Sequence, residues 1–178
     1  MRVWTIGHSD RTLAELAALL QGYGVTSVAD VRSVPRSRHV PWFDREALAR
    51  SLPALGIAYR HFPGLGGWRH ARKDSPNGGW RNASFRGYAD YMQTPAFAEA
   101  LGELLGAANA APTSMMCAEA VPWRCHRSLI ADALVVRGVE VTDILSLSSS
   151  RPHALTPFAR VDGVDGTSIT YPPGPEAR

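Results

Sequence analysis

Cysteine is scarce: 178 residues hold two, Cys117 and Cys125, too few for the disulfide framework of a small secreted domain. No run of about 18 apolar residues occurs, so no membrane-spanning helix is expected. The opening MRVWTIGHSD lacks the apolar stretch of a signal peptide. Collagen-like, coiled-coil, repeat and disordered compositions are absent as well. A soluble protein remains, expected in the cytoplasm. Its length corresponds to roughly one domain. Such a domain buries roughly 70% of its unfolded surface and needs no covalent or metal staple.

Charge is present but unevenly spread. Eleven Arg and Lys between Arg32 and Arg86 face only Asp44, Glu46 and Asp74, so this part carries +8 of a total of +3 and the remainder −5. The asymmetry points to an anionic partner, either a small molecule or nucleic acid. A solvated basic surface accounts for it equally well. Nothing in the sequence sets the oligomeric state.

The apolar pattern predicts an α/β domain over residues 1–145, with a mainly parallel sheet of about five strands flanked by helices. Strands are expected at 3–8, 27–32, 57–62, 113–117 and 139–145. Helices are expected after Ser9 or Asp10 as N-cap, with Leu13, Leu16, Leu19 and Leu20 on one face, and after Asp44 up to Pro53. Others are expected at 84–92, 96–108 and from about Cys125 to Arg137. An irregular basic loop region spans about 63–82. The Ser/Pro/Gly-rich stretch 146–178 reads as a loose C-terminal extension.

In a parallel sheet, ligands bind beyond the carboxyl ends of the strands. That edge collects His8 and Ser9, Asp30 and Arg32, His61, and Cys117 with Glu119. The densest cluster is CAEAVPWRCHRS (117–128). If Cys125 opens a helix, the free amides of its first turn hold an anion, and Arg124 and Arg127 add fork-shaped donors. A thiol at that place is expected to have an enhanced thiolate character. Cys117, inside an apolar strand, reads first as a packing residue, and Cys125 or Cys117 is the candidate nucleophile or redox centre. The layout is like that of a cysteine phosphatase or sulfurtransferase loop, but six residues separate Cys117 from Arg124, and Glu119 would repel a phosphate.

His126 and His8 are the proton-handling candidates. Glu119 and Asp30 offer carboxylates, either for acid–base work or for ion pairs with neighbouring arginines. No cofactor is expected. The metal alternative is zinc on Cys117, Cys125 and His126 with His8 or His61. It lacks CxxC spacing, and neighbouring Cys and His on a helix point apart. The basic segment interleaves Arg with aromatics, so Arg36, Arg38, Trp42, Trp68, Arg69 and Trp80 are candidates for nucleic-acid contacts. Those tryptophans serve equally well as packing residues for loops.

Together, TIGHS (5–9), DVRSVPRSR (30–38), GLGG (64–67) and MCAEAVPWRCHR (116–127) resemble one family of small bacterial and archaeal proteins, the domain-of-unknown-function family number 488. The resemblance covers residues 3–145. It implies an α/β domain whose site is built from His8, Ser9, Asp30, Arg32, Pro35, Cys117, Glu119, Cys125, His126 and Arg127, and it implies no reaction. The residues themselves lead to an enzyme acting on a phosphate-bearing ligand, a nucleotide or nucleic-acid component. A non-catalytic nucleic-acid-binding or regulatory module is the alternative, and a thiol redox or metal-dependent sensor is a third.

Overall fold

Residues alternate between two apolar layers along each central strand, so the sheet is covered on both faces. A computed structural model describes residues 1–163 and 165–174. Five parallel strands, β1 (Arg2–Gly7), β2 (Ser27–Asp30), β3 (Ala58–His61), β4 (Thr113–Cys117) and β5 (Glu140–Ser146), form the body of the sheet. The order is β3-β2-β4-β1-β5, and β6 (Ser149–Pro152) joins antiparallel at the β5 edge. Helices α1 (Leu13–Gly22) and α2 (Arg45–Ala54) cover one face through Leu16, Leu20, Leu48 and Leu52. Helices α3 (Ala83–Tyr91), α4 (Pro95–Ala110) and α5 (Arg127–Val135) cover the other through Tyr88, Phe97, Leu101, Leu104 and Leu129. Successive residues Met115 and Met116 of β4 enter opposite layers, as the pleat requires.

This topology decides where a ligand fits. The chain leaving β1 turns to the face of α1, and the chain leaving the adjacent β4 turns to the face of α5. Their divergence opens a crevice at the carboxyl edge, the switch point at which open α/β sheets bind ligands. The two chains separate late. His8 N–H donates to the Cys117 carbonyl and Ser9 N–H to the Ala118 carbonyl, both at 2.9 Å. Only a glycine fits at position 7, where a Cβ would lie 1.8 Å from the Glu119 carbonyl oxygen.

Several expectations need correction. Helix α1 is capped by Thr12, not Ser9 or Asp10: Thr12 and Glu15 form a reciprocal capping box. Asp44 does stand at the N-cap of α2, but its carboxylate turns back to accept from Ser37 N–H. Pro53 lies inside the last turn of α2 and does not end it. Helix α5 begins at Arg127, two residues beyond Cys125, whose backbone is extended. Trp80 packs against Phe85, Phe158 and Tyr171.

The C-terminal stretch is not loose over its described length. Besides β6, it forms a ribbon of β7 (Arg160–Asp162) and β8 (Ser168–Thr170), and it buries Ile169 and Tyr171. Residues 164 and 175–178 lie outside the described ones. A buried polar cluster fastens it. His153 donates from Nε2 to Asp132 at 2.9 Å and from Nδ1 to Asp143 at 3.3 Å. The Tyr171 hydroxyl donates to the other Asp132 oxygen, and Thr5 donates to Asp143.

Burial opposes the imidazolium, but the two carboxylates outweigh it and raise His153 to about 9. A pKa raised above the unfolded value stabilises fully below about pH 6.5 and loses that contribution as pH climbs through about 9. The expected outcome is a stability gap between wild type and His153→Gln that is widest at and below pH 6.5 and shrinks towards pH 9. Denaturant titrations across that range measure it. A gap that does not change with pH contradicts the ion cluster.

Candidate functional site

Three strand ends supply the site's floor. Cys117 is the last residue of β4, paired with Gly7. The chain then makes a seven-residue excursion, tightened by a 3-10 turn at Pro122–Arg124, and returns with Cys125 and His126 just before α5. The excursion is held from beneath by Arg127. This side chain is fully buried, and its guanidinium donates to the Glu119 carbonyl at 2.6 Å and the Ala120 carbonyl at 3.1 Å. Its Nε has no hydrogen-bond partner among the described residues.

Cys125 and His126 do not project in different directions, as two successive helical residues would. Because they precede the helix, their side chains meet at Cys117. The His126 Nδ1 lies 3.7 Å from the Cys125 sulfur and 4.0 Å from the Cys117 sulfur. Its Nε2 lies 2.9 Å from the Val31 carbonyl, to which it can only donate. The tautomer follows: Nε2 carries the proton and a bare Nδ1 faces the thiols. A Cβ at position 67 would stand 2.5 Å from that Nδ1, which assigns a physical role to the last glycine of GLGG.

The two thiols are unlike. A hydrogen bond from the Cys117 thiol lowers Cys125 to about 7 against the effect of burial, and the charge and amide of Arg127 assist. Cys117 is pushed far up by the same contact and by burial, so it keeps its proton.

Beside this floor stands a buried ion pair. Asp30 is fully buried and binds the Arg32 guanidinium at two points, Nη2–Oδ2 at 2.6 Å and Nε–Oδ1 at 2.9 Å. Tyr59 donates to Asp30 as well, and Arg32 donates to the Phe43 carbonyl. His8 accepts from Arg32 at Nε2 and donates from Nδ1 to the Ser9 carbonyl. Burial, with Arg32 adding to it, holds His8 down to about 4, so its ring is neutral near pH 7. His61 donates to the Arg32 carbonyl. Asp30 is thus consumed by structure, and it forms no acid–base pair with the exposed Glu119.

Above the floor lies an open cleft of about 840 Å³, within the usual range for small-molecule sites. Cys117, Cys125, His126, His8 and Arg32 line it from below. Arg36, Arg69 and Arg124 stand on its walls, and Glu119 is the one carboxylate among its lining residues. Arg36 and Arg124 are exposed and make no ion pair among the described residues. Arg69 is committed to the loop: it donates to the Gly64 and Gly66 carbonyls and lies 3.6 Å over the Tyr91 ring. Two helix starts border the cleft: that of α3, whose Ser84 and Phe85 amides Asn82 caps, and that of α5, whose N-cap His126 lines the floor and whose Arg127 amide supports the Cys125 sulfur.

Other expected residues fall outside the cleft lining. Arg127 lies beneath it. Ser9 sits in the β1–α1 loop with a left-handed φ of 50° and donates to Asp10. Trp42 donates its indole N–H to the Arg11 carbonyl. Trp68, by contrast, does line the cleft: it is 78% exposed on the rim and also borders, with Arg36 and Arg38, an adjoining groove. Sequence reasoning did not single out Ser33, His70 or Asn82, which also line the cleft. Ser33 is recognisable only in three dimensions, where its hydroxyl accepts from Trp68 N–H.

Removing the guanidinium from the buried pair leaves Asp30 uncompensated. Arg32→Met should therefore destabilise the fold by roughly 3–5 kcal/mol. Tyr59→Phe, which removes a single hydrogen bond, should cost only about 1 kcal/mol. Urea unfolding of both variants decides it; equal small losses would contradict the pairing described.

A family model described as "Domain of unknown function DUF488" matches residues 12–134, from the cap of α1 into α5. No curated protein and no solved structure matches.

Proposed function

The chain belongs to the DUF488 family of domains of unknown function, and from that premise we propose that it is an enzyme acting on a phosphate-bearing ligand, a nucleotide or nucleic-acid component, through Cys125. One observation carries this reading. A thiol pair and a bare imidazole nitrogen form the floor of a cleft whose walls hold two arginines that have no carboxylate partner among the described residues.

Each role follows from local chemistry. Arg36 and Arg124 take the anionic group, since their guanidiniums are not already committed. Cys125 is the nucleophile: its sulfur faces a hydrogen-bond donor in Cys117 and lies near the Arg127 charge. His126 Nδ1 accepts the thiol proton, and its Val31 hydrogen bond fixes the ring for that purpose. Glu119, exposed on the wall, protonates or deprotonates the departing or attacking group. His8 positions Arg32 and needs no charge of its own.

The competing reading is a nucleic-acid-binding module, favoured by the exposed Trp68 beside Arg36 and Arg38. Thermal-shift measurements with inorganic phosphate, mononucleotides, short single strands and short duplexes separate the two. A ligand at about 100 times its dissociation constant adds roughly 2.7 kcal/mol of stability. The expected result is stabilisation by mononucleotides or phosphate that fails in Arg36→Ala with Arg124→Ala, persists in Cys125→Ser, and is accompanied by turnover that Cys125→Ser abolishes. Stabilisation only by polymers, steeply lost with added salt, would instead favour the binding module.

A further inference from the structure

We infer that Cys117, Cys125 and His126 form a three-ligand site for one soft or borderline divalent cation of the Zn2+ type, with its fourth coordination position open to the arginine-lined cleft. The two sulfurs and the imidazole nitrogen all lie within 4.8 Å of one another. An ion about 2.3 Å from each sulfur and about 2.0 Å from nitrogen in a tetrahedral shell needs these atoms roughly 3.5–3.8 Å apart. The nitrogen–sulfur separations of 3.7 and 4.0 Å are already close to that spacing. Only a small inward movement of the thiols completes it.

The surroundings fit a ligating histidine. A metal-bound imidazole ordinarily gives its second N–H to a carbonyl or carboxylate, which fixes the ring and its tautomer. His126 does so with the Val31 carbonyl at 2.9 Å. Gly67 stands beside the ligating Nδ1 itself, where any side chain would collide with the ring and crowd that nitrogen. Cys117 is held by strand register, and the Cys125 N–H is tied to the Pro122 carbonyl at 2.9 Å. A donor set of two sulfurs and one nitrogen selects Zn2+ or Cu+ over Mg2+ or Ca2+.

Among the described residues no fourth side chain joins the three. His8 and His61 are the histidines that strand ends bring nearest, and both are otherwise engaged: the first accepts from Arg32, the second donates to the Arg32 carbonyl. Cys117, Cys125 and His126 line the cleft, so the open position faces it and is available to water or to an anionic ligand. Three protein ligands and an open place describe an exchangeable site rather than a closed structural one.

Binding displaces the two thiol protons to solvent, leaves the imidazole neutral and moves no electron. It also occupies the Cys125 sulfur, so the ion and the thiol chemistry exclude each other and the metal acts as an off-switch. That consequence rests on Cys125 being the nucleophile; the binding itself does not.

The test uses the full chain, freed of metal with a chelator under reducing conditions and titrated with Co2+. The expected result is the visible ligand-field absorption of a tetrahedral cobalt site with thiolate-to-cobalt charge transfer in the near ultraviolet. It should saturate at one ion per chain, reverse on adding Zn2+, and be lost in His126→Ala and in Cys117→Ser. Zn2+ should block iodoacetamide labelling of Cys125, and a chelator should restore it. Absence of the cobalt signal in a wild-type protein whose Cys125 labels readily overturns the metal site and leaves the enzyme reading intact. A full cobalt signal in a protein whose metal-free thiol is inert supports the metal site and overturns the thiol mechanism.

Discussion

A charge with no carboxylate partner holds the site in shape. Arg127 is fully buried, and among the described residues it makes no ion pair. A guanidinium in that position is costly unless its donors are satisfied. Two carbonyls of the 118–121 stretch satisfy its terminal nitrogens, and in doing so they fold the segment after β4 back over the β1 terminus; Nε is left without a partner among the described residues. Gly7 allows the approach, because any side chain there would strike the Glu119 carbonyl. Cys125 is then delivered next to Cys117, and the nearby positive charge helps hold its thiol down. The loop's path and the thiol's chemistry therefore both rest on a residue that lies beneath the cleft.

The basic segment illustrates why net charge is a coarse guide. Its arginines divide into two groups. Arg32 and Arg69 are structural ties, the first to Asp30 and the second to loop carbonyls and the Tyr91 face. Arg60 pairs with Glu103 on α4. Arg36 and Arg38 remain exposed and unpaired among the described residues, as does Arg124 outside the segment. Of the segment's eleven basic residues, three, Arg32, Arg36 and Arg69, line the cleft, so the excess of +8 overstates what can meet an anion there. The tryptophans divide similarly: Trp80 packs and Trp42 bridges loops, while Trp68 alone of the three stands clear.

Much of the fold was legible because its signals are local. Apolar runs with glycine and proline punctuation gave the five parallel strands to within a residue or two, and the carboxyl-edge rule brought His8, Arg32, Cys117 and Glu119 together around one cleft. The true α1 cap was also local, in Thr12-x-x-Glu15, but Ser9 and Asp10 offered the same chemistry earlier. Other features were not local. The start of α5 was misplaced because nothing in WRCHRS separates an extended Cys125 from a helical one; the 3-10 turn and Arg127 decide it. The C-terminal stretch looks like loop by composition, yet it is fixed by residues more than 20 positions away, through His153 with Asp132 and Tyr171 with Asn77. Convergence of Cys125 and His126 on Cys117 depended on that same local geometry.

The central claim is that an anionic ligand sits directly over Cys125. Mass-spectrometric footprinting of the metal-free protein with iodoacetamide, with and without phosphate and mononucleotides, tests it most directly. The account predicts that Cys125 is alkylated well ahead of Cys117 and that a bound phosphate-bearing ligand protects it, with protection lost in Arg36→Ala with Arg124→Ala. Ligand binding that leaves the alkylation of Cys125 unchanged, or alkylation that favours Cys117, would contradict it.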